Sequence, residues 1–78
     1  MADDRLYVVN KTKRRNICIA KSMSNGWYLG NRDLFKEFIE NSLESDELYI
    51  GKESDELFFD YFISKSKNVN GTNGWVKW

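Results

Sequence analysis

The sharpest periodicity in the chain runs over residues 31–45. At ~100° per residue, Leu34, Phe35, Phe38, Ile39 and Leu43 share one half of a helical wheel, and Asp33, Glu37, Glu40 and Glu44 cluster within about 60° on the other. The spacing predicts an amphipathic helix whose apolar half needs a sheet to cover. Asn31 can cap it by accepting from the amides two or three residues on, and Asp33 suits the positive end of its dipole. The end carries no such signal, because Ser42 lies on the apolar half and no glycine follows.

Upstream, residues 6–9 and 17–20 are short β-branched and aromatic runs around a polar, basic stretch at 10–16, the pattern of a hairpin with a charged tip. Asn25-Gly26 supplies the positive φ values of a tight turn before a third strand at 27–29. Downstream, residues 47–50 read as a strand closed by Gly51, and the string ESDEL at 44–48 recurs at 53–57 as a second acidic turn. Residues 57–63, LFFDYFI, fit two structures. Ser54, Asp55 and Glu56 would cap a helix well, but alternation places Leu57, Phe59, Tyr61 and Ile63 on one face, and the aromatic composition favours a strand. The strand is the reading adopted, with a second helix over 54–66 as the alternative. Two Asn-Gly pairs in 68–74 then return residues 75–78 onto 57–66 as a hairpin. The expected fold is α+β: a single small domain with an antiparallel sheet in the order βββαβββ, a β-meander first and one helix packed on a face.

Seventy-eight residues give one core and little room for a deep pocket, since a chain of this size buries roughly 60% of its unfolded surface. Twelve aromatics are more than one sheet and one helix can hide, so some should form an exposed contact patch. The zero net charge conceals a division: residues 1–32 carry +5, 33–60 carry −8 and 61–78 carry +3. Self-complementation would bring these segments together; failing that, one face steers a charged partner.

The chain has no histidine, which removes the usual activators of serine and cysteine nucleophiles and the commonest transition-metal ligand. Cys18, between Ile17 and Ile19, reads as a small buried hydrophobe; alone it makes neither a disulfide nor a zinc site. No glycine pattern matches a phosphate-binding loop. The expectation is a protein that is not an enzyme, with no catalytic residue, no metal and no cofactor. An acidic N-terminus and the lack of an apolar run long enough for a leader or a membrane span lead to a cytoplasmic expectation, with no membrane association.

Three surfaces remain. The acidic helix face, Asp33, Glu37, Glu40 and Glu44 continued by Asp46 and Glu47, rises in steps of roughly 4.5 to 6 Å and could stand in for a nucleic-acid backbone against a basic groove. The basic tip, Lys11, Lys13, Arg14 and Arg15, with Tyr7, Trp27 and Tyr28 expected in the same meander, has the mix of cations and rings used to bind nucleic acid. Trp75 and Trp78 fall on opposite faces of a terminal strand, so one of them should be at an interface, as in a homodimer. The leading expectation is a protein-binding inhibitor module presenting the acidic face to a basic partner; the alternatives are a nucleic-acid-binding domain acting through the tip and a homodimeric assembly protein. In size, lack of motifs and acidic face, the chain resembles the small proteins phages encode to block host enzymes, DNA mimics and anti-CRISPR inhibitors among them.

Overall fold

The computed structural model describes residues 4–30, 32–69 and the backbone of 76–77. Strands β1 (Asp4–Asn10), β2 (Arg15–Met23) and β3 (Gly26–Leu29) form the expected meander, followed by α1 (Arg32–Glu40) and β4 (Leu48–Lys52). A short α2 (Glu56–Phe58) runs on into a π-helical turn, Phe59–Ile63, and two-residue strands β5 (Lys67–Asn68) and β6 (Val76–Lys77) complete the order. The sheet path is β4-β1-β2-β3-β6, antiparallel throughout, with β5 added parallel to β2 at Arg15↔Lys67. The fold is α+β, as the sequence pattern implies.

Alternation along β1 and β2 divides the core between the two faces of the sheet. Val8 and Ile17, paired across the ladder, turn to one face, where Phe38 of α1 covers them together with Ile19, Phe35 and Val69. Val9 turns to the other and meets Phe58 and Ile63, with Tyr7 and Phe62 alongside. Between Leu6↔Ala20 and Tyr7↔Cys18 the register slips by one, so that Ile19 is an extra residue on β2, a β-bulge. Cys18 is buried, its thiol donating to the Ala20 carbonyl, and burial pushes its pKa up.

Residues 57–63 are helical, not a strand. The Asp55 carboxylate accepts from Phe58 N at 3.1 Å and Phe59 N donates to the Asp55 carbonyl at 2.8 Å, which starts the helix one residue beyond Ser54. Ser64 N then reaches back to the Phe59 carbonyl, a five-residue step that brings Phe58 and Ile63 to the same side. The inward set is therefore Phe58, Phe62 and Ile63, while Leu57, first in the alternating set, is 67% exposed. With no strand there, the last segment pairs not with 57–66 but with β3, at Tyr28↔Lys77 and Leu29↔Val76.

Gly51 lies inside β4 instead of closing it. The Phe58 ring rests against it so closely that an added Cβ would stand 2.8 Å from three ring carbons. Helix α1 ends at Glu40, earlier than the wheel pattern suggests, because Ser42 is drawn away: its hydroxyl donates to the Phe38 carbonyl and accepts from Asn10 Nδ2. Its expected cap, Asn31, lies outside the described residues.

Candidate functional site

The acidic face divides into an exposed part and a tethered part. Asp33, Glu37 and Glu40 stand exposed on α1, and the ion pair on their own helix, Lys36 to Glu40 at 3.9 Å, is itself well exposed. Glu44 is exposed too, but in the turn after the helix. Asp46 faces inward, its side chain only 2% exposed. It accepts from Asn10 Nδ2 at 2.9 Å and Leu43 N at 3.0 Å and pairs with Lys13 at 3.3 Å, and these contacts, the Asn10 bond foremost, hold its carboxyl below the usual range. Glu47 faces Lys11 at 3.7 Å across solvent. Arg5 meets Glu53 at 3.3 Å, and the Tyr7 hydroxyl donates to the same carboxylate; burial, with Cys18 and Glu53 nearby, pushes the Tyr7 pKa up to about 12. The basic N-terminal segment thus pairs its charges with the turns that follow α1 and β4, while Arg15 lies over the Phe38 ring of α1.

Beside the exposed carboxylates runs an apolar rim. Leu43 is 61% exposed and Ile50 63%, with Leu34, Ile39 and Leu48 also partly in solvent. Ile50 pairs with Val8 in the ladder, so Ile50 and Leu48 lie on the sheet face that α1 occupies. Strand β4 is also a sheet edge among the described residues. Lys11 N donates to the Glu47 carbonyl and Glu53 N to the Arg5 carbonyl, which fixes residues 47, 49, 51 and 53 as the ones bonded to β1. The backbone groups of Leu48, Ile50 and Lys52 therefore point away from the sheet. The sequence pattern missed this rim because helix spacing assigned Leu34, Ile39 and Leu43 to the core; five apolar positions on one helix, over a sheet this small, were the available signal.

The four cations of the hairpin tip do not form one patch. Lys13 reaches Asp46 and the Asn41 carbonyl, and the Arg15 guanidinium lies 5.8 Å from the Phe38 ring centre, both on the α1 side. Lys11 and Arg14 line a cleft on the other side with Lys65 and Tyr61. The three rings are in the same meander, as expected, but away from the tip. Tyr7 is packed against the Phe58 cluster, and Trp27 and Tyr28 pair with Ser22 and Lys21, roughly 20 Å up the strand from Asn16 at 3.3 Å per residue. Tyr61 takes their place because residues 57–63 are helical. Trp75 and Trp78 lie outside the described residues.

Among the described residues, no group of three or more Asp, Glu or Cys side chains is arranged to hold a metal ion, and no helix is long and apolar enough to cross a membrane. Comparison with protein-family models, curated proteins and solved structures finds no match for this chain.

Proposed function

We propose that this protein is a non-enzymatic binding module that occupies a basic, nucleic-acid-binding surface of another protein, and so acts as an inhibitor of that partner. The observation that carries the reading is that Asp33, Glu37 and Glu40 stand exposed along α1, while Asp46, Glu47 and Glu53 are engaged by cations of the N-terminal segment. The apolar rim of Leu43, Leu48 and Ile50 supports a protein surface as the partner, since a purely charged contact needs no exposed leucine or isoleucine. Carboxylates would face the partner's lysines and arginines, and the rim would supply the desolvated centre.

Capture of partners from the native host, read by mass spectrometry, tests this directly. Reversal of Glu37, Glu40 and Glu44 to Lys should abolish capture while leaving the circular-dichroism spectrum intact, and excess duplex DNA should compete with the wild-type protein for the partner. Unchanged capture by the triple variant would sink the proposal.

A further inference from the structure

The cleft on the α2 side of the hairpin tip, ≈ 600 Å³ in volume, is built by two separate parts of the chain. Lys11 and Arg14 come from the tip, and Tyr61 and Lys65 from the π-turn and the residues just after it. The cleft is held in shape from behind: Phe62 stacks on Tyr49 with ring centres 4.6 Å apart, and Lys67 N donates to the Arg14 carbonyl at 2.9 Å. Asn16, buried at the root of the tip, donates to Ser66 Oγ at 2.7 Å. The two aliphatic hydroxyls in the lining are already engaged, Thr12 Oγ1 accepting from Glu47 N and Ser66 Oγ donating to the Phe62 carbonyl. What the cleft offers a ligand is therefore cationic and aromatic.

No carboxylate lines it among the described residues. A neighbouring ion pair, Lys11 to Glu47 at 3.7 Å with both partners more than half exposed, is of the kind that contributes little and opens easily. Tyr61 is 60% exposed, and Lys65 Nζ lies over one face of its ring, 5.5 Å from the centre, so the ring and the cation share the mouth. Arg14 has φ 56°, in the left-handed region where glycine or asparagine is favoured, so the arginine at that turn position sits against its backbone preference.

We infer that this cleft binds single-stranded nucleic acid, with backbone phosphates on Lys11, Arg14 and Lys65 and an unpaired base stacked on Tyr61. Three cations spread over an open groove suit a chain of phosphates better than one compact anion, and an exposed ring gives a base a π-face that a free phosphate would not use. A duplex keeps its bases paired and would leave Tyr61 without a role. The inference stands apart from the acidic-face proposal, because none of its residues lies on α1.

Fluorescence anisotropy of a labelled oligothymidylate of roughly 12 nucleotides tests it. With three phosphate contacts, affinity should fall about 20-fold between roughly 50 and 200 mM salt. Arg14→Gly removes one cation while relieving the left-handed backbone, so it should fold at least as well as the wild type and show a shallower salt dependence. Tyr61→Leu, at an exposed position, should cost roughly tenfold in affinity with an unchanged melting temperature. Absence of binding at low salt overturns the inference. So does inorganic polyphosphate competing as well as the oligonucleotide while Tyr61→Leu binds normally, which would make the cleft a site for polyanions in general.

Discussion

Asp46 holds the tip to the turn that follows α1. Its carboxylate gathers Asn10, Leu43 and Lys13 onto one oxygen, and Asn10 in turn accepts from Lys13 N at 3.0 Å and donates to Ser42. Its folded pKa lies below the ordinary value of 3.8, so the ionised form is the one that folding favours. The stabilisation is thus fully present above about pH 4 and is lost as the pH falls through the depressed folded value. Asp46→Asn should be less stable than the wild type in urea at neutral pH, with the gap closing as the pH drops below about 4. A gap that stays constant through that range would show that the charge is not what is being used. The sequence presents residues 10–16 as a solvated tip, and its middle is one. Asn10 and Asn16, however, are 2% exposed, and their amide nitrogens and the Asn16 oxygen find partners 32 to 52 residues away. Nothing local distinguishes an asparagine that will find such partners from one that faces water.

At the scale of elements, β1, β2, β3 and α1 were legible because each has one period and a turn signal at its edge. The 57–63 segment was not. Seven residues are too few to separate alternation from a helical repeat, and the π-turn adds a five-residue step that neither template contains. Once that segment is helical, the partner of the last strand changes with it, so a single ambiguous run cost two assignments. Gly51 follows from the same packing, since it leaves room on β4 for the Phe58 ring. Gly51→Ala should therefore cost about 1–3 kcal/mol by overpacking. Denaturation of a double-mutant cycle isolates the cause: on a Phe58→Leu background, which removes the ring, the alanine should be nearly neutral. An equal cost on both backgrounds would place the strain in the strand backbone.

Considered whole, the molecule sets exposed carboxylates and an apolar rim on the α1 face, and on the α2 face a cationic, aromatic cleft at the tip with further exposed carboxylates at Asp55, Glu56 and Asp60. The charge blocks of the sequence indicated such a division, but the charge that cancels within the fold could be located only in three dimensions, at Arg5, Lys11 and Lys13. The two components of the acidic face should separate kinetically. Exposed carboxylates act at long range and steer encounter, whereas exposed side chains such as Leu43 and Ile50 act only after contact. Against a captured basic partner, Glu37→Gln with Glu40→Gln should lower the association rate and flatten its dependence on salt, leaving dissociation little changed. Leu43→Ser with Ile50→Ser should instead speed dissociation by tenfold or more, on the order of 1.4 kcal/mol per decade, and leave the association rate and its salt dependence in place. Surface plasmon resonance at two ionic strengths resolves both. If the serine pair changes neither rate, the rim lies outside the contact, and the carboxylates alone define the surface.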